Sequence, residues 1–478
     1  MKNNIILVVL CFPFWNLTIT AQNNTSSPYS ARGFGEFEQF NGVYNRSLGG
    51  VINGIRSKRT VSLSNPASLG AITQVSFEFA FRGDYSTVYN ASAKNQSFNG
   101  NFNYFSLAFP VYRKQEITKD TVNKTKLYKN YHTIWSSGIG LIPFSNVNTS
   151  YFRTKDTSYG RISSVYSLTG GLNRLYWMNA VNINKSISVG LNSSYIFGQR
   201  RVQNTYFIDD SLQSRGTFDD QSYRFSGFLF NLGTQIERNI DTIVRHKKDS
   251  IGKIISTRKI PIRFIWGASI HNEGNINYSL SRLTLNKSLI SSTYRDDTII
   301  NQETTRRKTN IPLSFSAGMS VTINNKWMLA FDYQASMLSK MDKQLFNDSF
   351  TNSSQINIGF AYRPDRDVEY LEKNFGKRKR MNLEYRFGFR YLNSGFNFRD
   401  NLGNILPMKE YGISFGIGIP KLKEYWDGKK VILKSMVNLT GEYVMRGSTN
   451  NGLIAENLVR LTIGFTISDI WFTRKKFN

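Results

Sequence analysis

The sequence predicts an all-β protein, a transmembrane antiparallel β-barrel of about 14 strands, and three observations favour this fold class. Apolar and polar residues alternate over many short stretches, which is the pattern of strands with one lipid-facing side. No run of about 18 apolar residues follows residue 21, so the sequence offers no transmembrane helix. Aromatic residues make up 14% of the chain, which suits strands that carry aromatic girdles at the membrane interfaces.

The first 21 residues are typical of a signal peptide. Lys2 supplies a basic start, residues 5–15 form an apolar stretch, and Ala21 marks a cleavage point. The single cysteine, Cys11, lies in this segment, so the mature chain would lack disulfides, a thiol nucleophile and a cysteine metal site. We therefore expect export to the cell outer membrane of a Gram-negative bacterium, with the signal peptide (1–21) cleaved near Ala21.

The barrel itself is predicted over residues 75–478. Alternation is clearest from Val75 to Arg82, where an apolar set and a polar or small set would point to opposite faces of a strand. Comparable alternation or apolar density predicts 14 strands, an even number as in bacterial single-chain barrels. The predicted strands are 75–83, 100–112, 132–142, 164–180, 186–198, 222–237, 261–273, 311–322, 327–335, 353–362, 381–392, 409–419, 429–444 and 457–469.

The connections differ in length at the two ends of this barrel. Short polar turns are predicted at Asn184-Lys185 and Asn324-Asn325, and long polar loops at 199–221 and 274–310 on the opposite end. Short turns are typical of the periplasmic end and long loops of the outer end. Three connections depart from this pattern, because they are long and basic yet fall on the short-turn end: 113–131, 238–260 and 363–380. Either two strands are miscounted or the barrel has unusually large basic turns.

Residues 22–74 do not have the pattern of strands. They are rich in Gly, Ser and Asn, with apolar residues only at intervals. Such a segment is either a disordered periplasmic tail or a plug that folds back into the lumen, where small residues permit tight turns against the wall.

Short motifs in this segment and in two strands resemble the FadL/TodX-type outer-membrane transport family, in a divergent branch. The motifs are Ser27-Pro28-Tyr29-Ser30, Gly33-Phe34-Gly35, Ser47-Leu48-Gly49-Gly50, Asn65-Pro66-Ala67, residues 138–145 and residues 170–177. The tail at 471–476 is also similar to that branch. The resemblance implies a 14-stranded barrel with a luminal N-terminal hatch, residues 22–74. It also implies passive inward transport of hydrophobic molecules such as long-chain fatty acids, although barrels of this fold also serve as accessory subunits.

The resemblance also implies site residues. The residues expected to shape the hatch and the substrate path are Gly33, Gly35, Gly49, Gly50, Asn65, Pro66 and Ala67. Asn65 would hold the hatch by hydrogen bonds to backbone or wall, and Pro66 would stiffen its exit into the first strand. Family members also use a lateral opening at a kinked strand, for which Pro143, Phe144 and Ser145 are the candidates here. Pro143 equally well ends the third strand.

Enzymatic chemistry has little support in the sequence. The three histidines, His132, His246 and His271, lie in no recognisable nucleophile or zinc motif. The carboxylates Asp209, Asp210, Asp219 and Asp220 are close enough in sequence to bind Ca²⁺, but a solvated loop explains them better. We expect no catalytic residue, no metal and no cofactor.

The formal net charge of +28 raises the question of nucleic-acid binding, but export argues against that function. A basic barrel instead meets outer-membrane lipid headgroups and lipopolysaccharide phosphates, or much of the charge is solvated loop. Basic runs at 245–248, 377–380 and 474–476 are predicted to be periplasmic, where they would meet headgroups or an acidic partner, or simply keep turns soluble. The aromatic residues Tyr176, Trp177, Trp327, Trp471 and Phe472 are expected to be interfacial anchors.

Two functions follow from these observations. The first is transport of a hydrophobic small-molecule solute through a hatch-gated lumen. The alternative is a non-transporting barrel that binds other outer-membrane proteins as a subunit of an assembly or secretion complex. A continuous apolar path through the lumen would favour transport, whereas a polar, sealed lumen would favour the subunit.

Overall fold

The structure, a computed structural model, describes residues 27–58, 60–119, 127–157, 160–209, 215–248, 254–272, 274–290, 293–304, 306–346, 349–364, 383–426 and 430–469. The predicted signal peptide and the basic runs at 377–380 and 474–476 lie outside these residues. None of the helices in the described residues is long or apolar enough to cross a membrane.

Fourteen antiparallel strands form a closed barrel, as the sequence predicts. The barrel strands are β2 (Val75–Tyr89), β3 (Lys94–Lys119), β4 (Leu127–Thr157), β5 (Gly160–Asn182), β6 (Ile187–Asp209), β7 (Arg215–Lys248), β8 (Ile254–His271), β12 (Ser314–Ile323), β13 (Trp327–Ser336), β14 (Ser353–Tyr362), β15 (Glu384–Arg399), β16 (Ile405–Trp426), β17 (Lys430–Gly447) and β18 (Ala455–Asp469). Each pairs with the next in this order, and β18 pairs with β2 to close the cylinder. Closure satisfies the backbone polar groups that hydrocarbon would otherwise leave without partners.

The remaining elements are short or lie at one end of the barrel. They are the strands β1 (Glu36–Phe37), β9 (Gly274–Ile290), β10 (Thr293–Glu303) and β11 (Arg307–Ile311), and the helices α1 (Val43–Arg46) and α2 (Lys343–Phe346). Four 3-10 helices complete the described structure, at Pro28–Ala31, Pro66–Ala71, Leu338–Lys340 and Asn450–Gly452.

The alternation in β2 shows how the sequence sets the two faces of the wall. Phe77 and Phe81 are exposed on the outside, where the membrane would solvate them. Glu78 and Arg82 point inward and are buried. A strand has a side-chain period of two, so a one-residue slip would place these charges in lipid, and the register is therefore strongly specified.

Tight turns define one end of the barrel, called here the turn end. Asn324 and Asn325, between β12 and β13, both have positive φ, 53° and 54°, as the two central residues of a type I′ turn require, and the N–H of Lys326 donates to the carbonyl of Ile323 at 3.0 Å. Asn184, between β5 and β6, accepts hydrogen bonds from the backbone N–H groups of Ser186 and Ile187 with its side-chain oxygen. Both predicted short turns are thus present. The opposite end is called the loop end.

The two predicted long loops at the loop end are wrong in their conformation. Most of 199–221 forms the loop-end parts of β6 and β7, which pair with each other, for example at Asn204 and Asp219. Most of 274–310 forms β9, β10 and β11, and β9 pairs with the upper part of β7. The sequences of these strand segments are polar and lack regular apolar alternation, so they mimic loops. Two of the long basic connections on the turn end, 113–131 and 238–260, also begin as paired strands, whereas most of 363–380 lies outside the described residues. The count of 14 barrel strands is unchanged.

Candidate functional site

Residues 27–74, called here the luminal segment, run through the barrel interior from the loop end to the turn end. At the loop end the Ser27 hydroxyl donates to Glu456 of β18 at 2.6 Å, and the Tyr29 hydroxyl donates to the carbonyl of Ile454. At the turn end Asn182 of β5 donates to the carbonyl of Gly70 at 2.7 Å. The segment then continues directly into β2.

The luminal segment contacts all fourteen barrel strands. On seven strands a glycine of the wall lies so close to it that a Cβ would overlap the segment's atoms. These glycines are Gly190, Gly233, Gly267, Gly359, Gly388, Gly416 and Gly464. On the other seven strands side chains make the contact. They are Glu78, Tyr104, Thr133, Asn182, Ser320, Asp332 and Thr440.

The four predicted hatch glycines all have positive φ, which a residue with a side chain rarely adopts. The φ angles are 53° at Gly33, 101° at Gly35, 70° at Gly49 and 91° at Gly50. Gly49 lies against the wall, where a Cβ would be 2.8 Å from the backbone nitrogen of Phe389. The four glycines therefore permit the tight turns of the luminal segment, and Gly49 also lets its backbone approach the wall closely.

Asn65, Pro66 and Ala67 begin the 3-10 helix that leads to β2. The Asn65 side-chain oxygen accepts from the backbone N–H of Ala67 at 3.1 Å and so caps the helix. The amide nitrogen of the same side chain donates to Asn53 at 2.9 Å and to the carbonyl of Thr234 on β7 at 3.2 Å. Asn65 therefore fixes the local turn and ties it to the wall.

Asp332 of β13 is a buried anchor that the sequence analysis missed. Its carboxylate accepts from the backbone N–H groups of Ile52 at 2.6 Å and Asn53 at 2.8 Å. From the other side, Gln235 of β7 donates to the carbonyls of Asn53 and Ile55, both at 2.9 Å. Backbone groups of the segment that would otherwise be buried without partners are satisfied by the wall. The signal available in the sequence was a carboxylate at an inward position of an otherwise apolar strand.

Two glutamates of the luminal segment form buried ion pairs with wall arginines. Glu38 is 2.7 Å from Arg82 of β2, and Glu36 is 2.8 Å from Arg446 of β17 and 2.9 Å from Arg460 of β18. Arg82, Arg446 and Arg460 are buried. A buried charge without a partner costs free energy, and moving the luminal segment would separate these pairs. Each pair therefore stabilises the segment in its observed position.

The wall is interrupted between β3 and β4, and the luminal segment covers the interruption. Pairing of β3 with β4 runs up to Phe105 and Leu141 and is not continued toward the loop end in the described residues. Beyond that point β1 of the luminal segment pairs with Ser145 and Asn146 of β4.

The three residues predicted at a lateral opening lie at this interruption. The pairing of β4 with β5 shifts register between Pro143 and Ser145. The carbonyl of Phe144 accepts from the backbone N–H of Glu38 at 3.0 Å, and the Ser145 hydroxyl donates to the carbonyl of Phe34 at 2.8 Å. Luminal backbone thus takes the place of β3 along this part of β4.

Two chambers lie beside the luminal segment. The mouth chamber, about 860 Å³, lies at the loop end and is lined by Tyr151, Arg200 and Phe398 among others. The inner chamber, about 280 Å³, is lined by Phe37, Phe144, several charged residues and His271 among others. Tyr29 and Met408 line both chambers, so the two chambers adjoin there.

Arg174 of β5 is the unusual cation of the inner chamber. Its side chain is buried, and its Nε has no hydrogen-bond partner in the described residues. The guanidinium lies 4.4 Å from the ring centre of Phe40 and 4.7 Å from that of Phe144. Arg174 therefore joins the luminal segment to the interrupted wall through two cation–π contacts.

The histidines and carboxylates considered for chemistry, where the structure describes their side chains, do not form one site. His271 lines the inner chamber, and His132 lies at the turn end. Asp219 is bound by Arg282 and Thr284 of β9, and Asp220 by Arg201 of β6, so these carboxylates stabilise the loop-end sheet. Among the described residues no group of three or more His, Cys, Asp or Glu side chains is placed to bind a metal ion.

Comparisons with known proteins agree with the fold. The family model BamG matches residues 1–478. The toluene transporter TbuX of Ralstonia pickettii superimposes with a TM-score of 0.52 at 10% identity, over 90% of this chain and 98% of that chain. The toluene transporter TodX of P. putida gives 0.52 at 12% identity, over 91% of this chain and 100% of that chain. Curated proteins give no match. The predicted resemblance to FadL/TodX-type barrels, in a divergent branch, is confirmed for the fold.

Proposed function

We propose, from the premise that the chain belongs to the BamG family, that it is a subunit of an outer-membrane protein assembly complex. In this role the barrel acts through its outer surface and its two ends rather than through its lumen. The family that matches the whole chain is not named for transport, and the transporters with this fold are only 10–12% identical to it.

The observation that carries the proposal is the contact of the luminal segment with all fourteen strands. A gate that opens needs few and weak contacts with its frame, because each contact adds to the free energy of opening. Here the segment is held by hydrogen bonds from its backbone to Asp332 and Gln235 and by buried ion pairs. It also packs so closely against wall glycines that a Cβ on them would overlap its atoms. Moving it would strand buried charges at a cost of about 3–5 kcal/mol for each pair that loses one partner. Such a segment supports the wall as a fixed core.

A disulfide that locks the segment to the wall tests this proposal. An ideal Cβ at Gly464 of β18 would lie 3.1 Å from the Cβ of Val43, so Val43→Cys with Gly464→Cys needs a shift of only about 0.5 Å to form a disulfide. We expect the locked barrel to support assembly as the unlocked protein does. The measurement is the amount of folded outer-membrane barrel proteins in cells whose sole copy of the chain is the variant, with and without reductant. Depletion of the chain should lower that amount, and a lock that lowers it equally would contradict a fixed core.

Transport of a hydrophobic solute is the second candidate, and the two chambers favour it. They adjoin at Tyr29 and Met408, and the inner chamber reaches Phe144 at the interrupted wall. A solute following this path would leave sideways into the membrane once β1 separates from β4, without displacement of the rest of the luminal segment.

A second lock distinguishes transport from the assembly role. Phe37 of β1 is paired with Ser145 of β4, so Phe37→Cys with Ser145→Cys would hold β1 on the wall. If the chain transports, oxidation should lower uptake of labelled toluene or decanoate to the level of cells without the chain. The Val43–Gly464 lock is the matched control, because it leaves β1 and the inner chamber untouched. Equal uptake with β1 locked and free would dismiss the lateral path.

A further inference from the structure

Three hairpins of the barrel extend beyond the tight turns of the turn end as paired strands. The hairpins are β3–β4 with paired arms at 113–119 and 127–133, β7–β8 with arms at 241–248 and 254–261, and β16–β17 with arms at 420–426 and 430–436. The turn at Asn324 marks the base of the second hairpin, because its N–H donates to the carbonyl of Pro261. These three pairs of arms are called here the crown.

The crown is strongly basic. Its arms hold thirteen Lys and Arg residues against three Asp and Glu residues, a net charge of +10. Each hairpin contributes to the excess, with +3 for β3–β4, +4 for β7–β8 and +3 for β16–β17. The charge is therefore a property of the whole turn end and not of one local run.

The loop end carries a smaller net charge over more residues. The loop-end arms of β4–β5 (148–157, 160–170), β6–β7 (199–209, 215–226) and β9–β10 (274–290, 293–303), together with β11 (307–311), hold twelve basic and seven acidic residues, a net charge of +5. Several of these charges pair with each other, as Arg201 does with Asp220 and Arg282 with Asp219. Both ends have extended strands beside water, so solubility alone does not explain why one end is basic.

We propose that the crown is the docking surface for an acidic soluble polypeptide, a partner within the assembly complex. This inference rests on the proposed function and adds the surface and the charge of the partner. The arms extend seven residues beyond the base, about 23 Å along the strand at 3.3 Å per residue. Ionic screening reduces the field of the headgroups within about 8 Å, so the lipid of the near leaflet attracts the base of the crown and not its outer half. A soluble acidic polypeptide is not confined to the base and can contact the arms along their whole length.

The first experiment measures binding of an acidic polypeptide to the full chain in lipid nanodiscs. The probe is fluorescent poly-L-glutamate, and the variant changes Arg245, Lys247, Lys248, Arg258 and Lys259 of the β7–β8 hairpin to Gln. The matched control removes five cations from the loop end by changing Arg153, Lys155, Arg161, Arg201 and Lys287 to Gln. We expect the hairpin variant to weaken binding about tenfold, the control to change it little, and binding to fall as salt is raised. Equal loss in both variants would overturn the proposal.

The lipid composition of the nanodisc separates the soluble partner from a headgroup. In zwitterionic and in anionic nanodiscs we expect the same affinity for the probe. If anionic lipid abolishes binding, the headgroups occupy the crown, and the proposed partner is wrong.

The link to assembly is tested in cells with the same two variants. We expect the hairpin variant, and not the control, to lower the amount of folded outer-membrane barrel proteins. If probe binding is lost but assembly is normal, the crown has no part in assembly while the proposed function stands. If depletion of the chain itself leaves assembly normal, the proposed function fails, whatever the crown binds.

Discussion

Replacing Gly388 by Val is expected to displace the luminal segment and open the barrel to ions. Gly388 points inward from β15, and a Cβ there would overlap the backbone of Leu48 and Gly49. Gly49 cannot retreat easily, because its φ of 70° forms the turn and its own Cβ position already meets β15. The strand pairing of β15 with β14 and β16 does not involve side chains, so the barrel should still close. A 14-stranded cylinder without its luminal segment is wide enough for water and ions, so conductance in planar bilayers should rise about tenfold or more.

The matched control is Gly441→Val on β17, a wall glycine whose Cβ would meet nothing closer than the Leu461 side chain, at 3.7 Å. It should conduct as the unmodified protein does. Heat-modifiability on gels shows whether both variants are folded barrels. A folded Gly388→Val barrel with unchanged conductance would mean that the segment adapts, and that the glycine contacts are not what closes the lumen.

The strands of the barrel wall could be predicted from the sequence, because the alternation of apolar and polar residues that marks a membrane strand is a local pattern. Alternation from Val75 to Arg82 depends on neighbouring residues alone, and the 14 predicted strands correspond to the 14 of the barrel. The strands beyond the membrane were missed for the same reason. Asp219 and Asp220 lie in the loop-end part of β7, where they bind Arg282, Thr284 and Arg201 of neighbouring strands, and the sequence there shows no apolar alternation.

The interior residues could be predicted only where a short motif marks them. Gly49 and Gly50 were predicted because their motif resembles that of a hatch, and the positive φ at both positions explains why the motif needs glycine. Asp332 is 280 residues from Ile52 and 279 from Asn53, whose N–H groups it binds, so no spacing rule joins them. The same holds for Glu38, which is 44 residues from Arg82 and 108 from Asn146. Closing a cylinder brings these residues together, and only the closed cylinder identifies them as partners.

The basic composition also changes meaning once the chain is folded. From the sequence, +28 is a property of the whole protein and fits lipid, lipopolysaccharide or solvated loops equally well. In the structure interior arginines such as Arg82 and Arg446 are paired with carboxylates, and several loop-end charges pair with each other. The crown arms hold +10 of the total net charge of +28, and this local excess is what the proposed acidic partner would recognise.

Replacing Glu38 by Gln is expected to loosen the luminal segment where it covers the interrupted wall. Glu38 accepts from Arg82 at 2.7 and 2.8 Å, from Arg46 at 3.0 Å and from Asn146 at 2.8 Å. The amide is nearly isosteric but neutral, so both arginines stay buried without their main counter-charge. Removing one member of a buried pair costs about 3–5 kcal/mol. Arg82 keeps Asp84 at 3.1 Å, so the lower end of that range is expected.

The measurement is protease cleavage within the luminal segment of the purified barrel, which should speed up by about a hundredfold for a loss of about 3 kcal/mol in the free energy of local opening. Asp156→Asn is the control, since it removes a carboxylate from the exposed pair with Arg161, whose side chains are 79% and 63% exposed, and such pairs contribute about 1 kcal/mol at most. Adding Arg82→Gln to Glu38→Gln removes the stranded charge and should restore part of the protection, as a coupled pair requires. If Glu38→Gln is cleaved no faster than Asp156→Asn, the ion pairs do not hold the segment, and its position depends on the glycine contacts and on Asp332 alone.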